Sequence, residues 1–230
     1  MGFRRFLKKR IKGTLEKLGY EVRALNRLRA DNAVMYNSIE YADRFYGDRA
    51  LVVKYVGENV PQHLLNLRVL LAEEGISLHK DMAILDAGCG TGDCLKMLWD
   101  DYGCRQLTGT DFSKNALAIA RETCPQAFFY ELELLGQRLP LDFDLILCQQ
   151  VLEHLVEPET ALRNLLSMLR PTGLLVITVP DGRLDDFAGH VHFWSSDSLP
   201  IFLRKELPGY SIKSGPLQDD VSQYAIISKP

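Results

Sequence analysis

Residues 83–95 read AILDAGCGTGDCL. An apolar run ends in Asp86, and Gly88, Gly90 and Gly92 follow with one residue between each. A short apolar run that closes on glycines and leads into an amphipathic stretch predicts strand, turn and helix of a parallel sheet. Ligands of such sheets bind outside the carboxyl ends of the strands, where the strand order switches. Glycine suits that turn because a side chain would block close ligand approach and some backbone conformations. Two phosphate-binding readings fail on the residues present. A Walker-type loop needs Lys directly after its last glycine, and Asp93 stands there instead. The dinucleotide fingerprint Gly-x-Gly-x-x-Gly needs a glycine at 93 or 95, which are Asp93 and Leu95.

On either side of this stretch, apolar runs alternate with helical periods. Strands are predicted at MAILDAG, QLTGTD, AFFYEL, FDLILCQ and GLLVITVP. Helices are predicted between them at GDCLKMLWDDY, SKNALAIARETC and EPETALRNLLSMLRP, and later at SSDSLPIFLRKEL. YSIKSG and SQYAIISK, joined by a short connector, suit an antiparallel closing pair. Upstream, PQHLLNLRVLLAEEGI predicts a helix that starts at Pro61 and ends at Gly75. The tyrosine-rich stretch before it predicts a helical or irregular lid. The expected fold is α/β, a doubly wound, Rossmann-like sheet preceded by N-terminal helices. Residues 1–60 form a basic helical segment with a lid, and residues 61–230 the main domain.

Asp111 ends the second predicted strand, 23 residues after Gly88. An acid in that position accepts hydrogen bonds from ribose hydroxyls. An unmodified ribose without a required pyrophosphate fits S-adenosylmethionine. The chain resembles class I S-adenosylmethionine-dependent methyltransferases, of the broad bacterial small-molecule, quinone and glycan type. ILDAGCGTGD, GTDFS, FDLILCQQVLEHL and LRPTGLLVITVP carry the resemblance, in that order, over residues 82–230. It implies a mostly parallel seven-stranded sheet with the last strand antiparallel. It also implies roles. Asp86 orients the methionine amino group, and Gly88, Cys89, Gly90 and Gly92 pass beneath the methionine and ribose. Asp111 binds the ribose, Phe112 packs on adenine, and Glu131 lies beside adenine, with Glu133 as the other register. Gln149 faces the methionine end.

Methyl transfer is an in-line displacement in which alignment supplies much of the catalysis. A hydroxyl acceptor gains from a general base. The candidates are His154, in QQVLEHL, and His190 and His192, in GHVHFWS. Gln150, Glu153 and His154 are spaced to share one helix face. Some relatives hold a divalent metal with Glu-x-x-Glu-His and a later His, but Gln150 replaces the first Glu here. No metal is expected. Tyr36, Tyr41 and Tyr46 are candidates for a lid over the sulfonium, since aromatic faces favour cations.

Composition bounds the partners. The 230 residues carry a net charge of −3, unevenly spread. Residues 1–30 hold ten Lys/Arg against two Glu, net +8, which leaves 17 basic and 28 acidic residues, net −11, elsewhere. The acidic domain disfavours nucleic acid as a partner. The basic N-terminal segment places Phe3, Phe6, Leu7, Ile11, Leu15 and Leu18 near one helical face. Such a segment packs on its own domain or contacts an anionic membrane surface. Five cysteines without paired metal spacing read as reduced thiols in a cytoplasmic protein, peripheral at the membrane if the basic segment binds there. The expected reaction is O-methylation of a quinone, lipid-linked, sugar or natural-product acceptor. Methylation of RNA, or cofactor binding without catalysis, are the alternatives.

Overall fold

The computed structural model describes residues 36–218 and 221–230. The basic segment 1–30 and its membrane reading lie outside them. Two helices open the described chain, α1 (Ile39–Gly47) and α2 (Arg49–Glu73). The alternating part follows as β1 (Ala83–Ala87), α3 (Asp93–Tyr102), β2 (Gln106–Asp111), α4 (Lys114–Thr123), β3 (Phe128–Glu131) and β4 (Phe143–Gln149). A one-turn 3-10 helix, Leu152–His154, leads to α5 (Pro158–Ser167), β5 (Leu169–Pro180), α6 (Ser198–Glu206), β6 (Ser211–Pro216) and β7 (Ser222–Ser228).

The seven strands form one sheet in the order β3-β2-β1-β4-β5-β7-β6. Only β7 runs antiparallel, between β5 and β6, as the short C-terminal connector requires. The order switches between β1 and β4, so the carboxyl ends of these central strands open a crevice. Every residue of β1 is buried, because both faces of a parallel sheet are covered by helices. Side chains alternate accordingly. Ile84, Leu145, Leu147 and Val176 pack with Leu67 and Leu70 of α2 and Leu95 and Leu98 of α3. Leu85, Ile146, Leu175 and Ile177 pack on the opposite face with Leu162 and Leu165 of α5 and Leu199 and Leu203 of α6.

Two predicted boundaries move. Pro61 does not start a helix but lies inside α2. The start is set at Asp48, whose carboxylate accepts from the N–H groups of Ala50 (3.0 Å) and Leu51 (3.2 Å). A proline inside a helix loses one backbone bond and crowds the carbonyl four residues back. That residue is Gly57, and nothing lies within 4 Å of a Cβ placed on it. The buried Leu67, Leu70 and Leu71 anchor the second half of α2 against this loss. Gly57→Ala is therefore expected to raise stability by about 1 kcal/mol, read from the urea midpoint. The second shift is in β5, which begins at Leu169 rather than near Gly173. Leu169 is buried and pairs with Phe143 before a bulge, so its packing overrides the helical period of the preceding residues.

Asp43 fastens α1 to the sheet domain. Its Oδ1 accepts from Ser113 Oγ (2.5 Å) and the Asn115 N–H (3.3 Å), and Asn115 Nδ2 donates to its carbonyl (2.7 Å). The first helices are thus clasped over the start of α4, beside the crevice. No helix among the described residues is long and apolar enough to cross a membrane.

Candidate active site

The turn after β1 bends through three left-handed glycines, with φ of 79° at Gly88, 49° at Gly90 and 80° at Gly92. Gly88 and Gly92 also sit against neighbours. A Cβ at Gly88 would stand 2.4 Å from Val151 Cγ2, and one at Gly92 would stand 3.0 Å from Ala120 Cα. The turn is pinned from β2, where the carbonyl of Thr110 accepts from the N–H groups of Gly88 and Cys89 (both 2.8 Å). Asp111 completes the frame, with Oδ2 accepting from the Gly90 N–H (3.0 Å) and Oδ1 from the Ser113 N–H (2.9 Å). A carboxylate has about four acceptor positions, so Asp111 keeps capacity for a further donor.

The turn borders a cavity of about 140 Å³ at the sheet switch. Asp86, Gly88, Cys89, Gly90 and Gln149 line it, as the sequence reading grouped them. Gln149 Nε2 donates to Cys94 Sγ at 3.4 Å, which turns its amide along the wall. Gly92 caps α3 behind the wall. Asp111, Phe112, Glu131, His154, His190 and His192 are not on the cavity wall. Glu131 is opposite Asp111 in the β2–β3 register, but its side chain is exposed, with Lys114 Nζ at 3.7 Å. Tyr46, Tyr55, Val60, His63 and Leu64 also line the cavity. All but Tyr46 come from α2, and the break read at Pro61 hid their shared origin. Tyr36 and Tyr41 lie elsewhere, edge to face with each other at 4.9 Å.

Burial dominates the electrostatics. Asp86 is buried with Asp111 nearby, and its carboxyl is pushed up to about 7. Burial raises Asp111 to about 6, against the hydrogen bonds from Ser113, Gly90 and Phe112. Both carboxyls therefore change charge close to neutral pH when no ligand shields them.

A second cluster follows in the chain after Gln150, which lines the cavity. Gln150 stands in the left-handed region (φ 55°), and its Nε2 donates to Thr178 Oγ1 at 3.2 Å. It leaves the line of Glu153 and His154, so the shared helix face expected for the three does not form. Glu153 is 1% exposed, and neither carboxyl oxygen has a hydrogen-bond partner. Its charge acts on Tyr55 of the cavity wall. Burial pushes Glu153 up to about 8. His190 Nε2 lies 3.9 Å from Glu153 Oε1, and the rings of His154 and His190 meet at 4.5 Å. Burial first, and then His190, push His154 down to about 4. His192 is separate, stacked on Trp194 at 4.8 Å and 8°. Among the described residues, Glu153, His154 and His190 are the group whose nitrogen and oxygen atoms, all within 4.8 Å of one another, could hold a metal. Sequence spacing paired His190 with His192, whereas the loop fold pairs it with His154.

Comparison with known proteins agrees with this fold. Residues 85–175 match the family model of a methyltransferase domain. The trans-aconitate 2-methyltransferase of Delftia acidovorans is 32% identical over 160 residues, 66% of this chain and 55% of that protein. The chain spans about half the length, or less, of the curated relatives it matches. The N-methyltransferase NodS of Bradyrhizobium japonicum, solved with S-adenosylhomocysteine, superposes with a TM-score of 0.64 at 20% identity over 84% of this chain and 99% of that one. Magnesium protoporphyrin IX methyltransferase of Synechocystis, also solved with S-adenosylhomocysteine, gives 0.60 at 19% identity over 86% and 98%.

Proposed function

We propose that this chain, whose residues 85–175 are a methyltransferase domain of the class I, S-adenosylmethionine-dependent type, methylates a hydroxyl of a small-molecule acceptor. The observation that carries the reading is the cavity at the β1–β4 switch. It joins Asp86, the glycine turn and Gln149, with Asp111 bonded to Gly90. These residues fit the cofactor. The glycine turn keeps side chains off the cavity floor, and Asp111 retains lone pairs for two ribose hydroxyls. Asp86 takes the methionine amino group, Phe112 and Glu131 the adenine side, and Gln149 the methionine end. S-adenosylmethionine supplies an electrophilic methyl group on a sulfonium. Residues 36–60 serve as the lid, through Tyr46 and Tyr55.

The chain's own contribution to the reaction is alignment and proton handling. The acceptor hydroxyl faces the cluster of Glu153, His154 and His190, and His190 takes its proton. His192, stacked on Trp194, shapes the wall. Curated relatives named trans-aconitate 2-methyltransferase support a second reading, a carboxylate acceptor. Radiolabelled methyl transfer across metabolite extracts tests both. Labelled product that requires His190 supports the first reading, and no labelled product from any extract counts against catalysis.

Cofactor affinity is expected to depend on pH. Asp86 and Asp111, raised to about 7 and about 6, bind cofactor donors in their ionised forms. Binding therefore releases protons and tightens as pH rises, by about tenfold or more between pH 5 and 8. Folding runs the opposite way. Both carboxyls sit above their unfolded values near 4, so their stabilising contribution is full below that pH and is lost as pH rises through about 6 to 7. Calorimetry in buffers of different ionisation enthalpy reads the released protons, and a pH-independent affinity would contradict the assignment.

The +8 segment of residues 1–30 is proposed to contact anionic membranes from the cytoplasmic side, bringing the enzyme to a lipid-linked acceptor. Co-sedimentation with phosphatidylserine vesicles should be lost when residues 1–30 are deleted.

A further inference from the structure

The histidine cluster specifies the acceptor more narrowly, on the premise that it is the acceptor side of the proposed methyl-transfer site. Asp185 Oδ2 lies 2.5 Å from His190 Nδ1. Burial raises the Asp185 carboxyl, but the bonds from His190 and from the Phe187 N–H outweigh it and hold the group below the usual carboxylate range. An ionised carboxylate only accepts, so His190 carries its proton on Nδ1. Its Nε2 then presents a lone pair toward Glu153.

His154 is fixed the same way by different groups. Its Nδ1 lies 3.0 Å from Asn37 Oδ1 and 3.3 Å from the Gly189 carbonyl. A carbonyl oxygen cannot donate. Asn37 cannot turn its amide around either, because its Nδ2 donates to that same carbonyl at 2.9 Å. His154 Nδ1 is therefore also a donor, and its Nε2 is also bare. Beside the His190 ring stands Glu153, nine-tenths buried and with neither oxygen partnered. Arg183, the arginine nearest in sequence, forks onto Asp181. The cluster thus gathers two imidazole lone pairs and a carboxyl that brings at most one proton.

We infer that Glu153, His154 and His190 form a hydrogen-bond-accepting cage that selects an acceptor carrying its own donors, a hydroxyl compound with neighbouring hydroxyl or amine groups, and rejects a carboxylate acceptor. Asp185 is the positioning residue of this cage, acting through the tautomer of His190. A carboxylate entering it would meet lone pairs, and burial makes that repulsion expensive. A hydroxyl entering it can donate to His190 Nε2, which is also the direction of proton transfer.

The test needs no knowledge of the natural acceptor. Long-range proton–nitrogen spectra of the full chain, labelled with 15N-histidine and assigned with H154Q and H190N, read each tautomer directly. Both rings are expected to carry the proton on Nδ1, and Asp185→Asn is expected to release His190 from that tautomer while leaving His154 in it. With trans-aconitate as probe, the wild type is expected to form no S-adenosylhomocysteine above the acceptor-free background. Three results would overturn the inference: an Nε2 proton on either ring in the wild type, methyl transfer to trans-aconitate, or stoichiometric Mn2+ broadening both Nε2 signals, which would make the cage a cation site. S-adenosylhomocysteine binding, measured on the same sample, separates the two levels. Its failure removes the methyl-donor reading, whereas a wrong tautomer with that ligand bound removes only the cage.

Discussion

Asp111→Ala is expected to weaken S-adenosylhomocysteine binding by about a hundredfold. Hydrogen bonds to a charged group contribute roughly 1.5–3 kcal/mol each, and each 1.4 kcal/mol is about tenfold in affinity. Two ribose hydroxyls bonded to one carboxylate therefore account for about two decades. The same substitution strips acceptors from the N–H groups of Gly90 and Ser113, so the glycine turn loses its pin and the melting temperature falls as well. Asp111→Asn separates the two effects, since it keeps the shape and loses the charge. Calorimetry of the two variants should rank them wild type, asparagine, alanine. An alanine variant that binds within about threefold of wild type would exclude Asp111 from the cofactor site.

The second large effect is expected at Gly182. Its φ lies outside the left-handed region, so alanine suits the backbone there, and the cost is purely steric. A Cβ would stand 2.3 Å from the carbonyl carbon of Phe193 and 2.6 Å from its Cα. These are backbone atoms, and no side-chain rotation relieves the clash. Gly182 also donates its N–H to Trp194 O at 2.7 Å, an oxygen shared with Gln223 Nε2. This bond holds the segment that carries His190 and His192 against the end of β5. Gly182→Ala is expected to cost about 3 kcal/mol, the upper end for overpacking, because the whole segment must move. Methyl transfer should fall more steeply than cofactor affinity, since the displaced segment carries His190, the proposed proton acceptor. A loss below about 1 kcal/mol in urea unfolding would show that the segment yields freely.

The parts of the molecule legible in the sequence are those whose signals are local. Each parallel strand is a short apolar run, and the spacing from Gly88 to Asp111 is a property of one strand–helix–strand unit. The sheet, its antiparallel seventh strand and the cavity residues Asp86, Gly88, Gly90 and Gln149 follow from such signals. Pro61 misled because proline is a start signal by frequency, while Asp48 and the buried leucines of α2 decide where that helix runs. Tyr55, His63 and Leu64 were hidden as a consequence. The cluster of Glu153, His154 and His190 rests on long-range contacts. His154 meets an asparagine 117 residues away, and His190 turns from its neighbour His192 toward a carboxylate five residues before it. No periodicity encodes those choices. Glu131 shows the reverse case, a motif position whose strand register is as expected but whose side chain points to solvent.

Isothermal titration of the full chain with S-adenosylhomocysteine tests the central claim most directly. The account predicts one site per chain with a dissociation constant well below about 1 mM, tightening as pH rises from 5 to 8 and largely lost in Asp111→Ala. No binding at about 1 mM ligand, by a chain whose circular dichroism shows it folded, would contradict it.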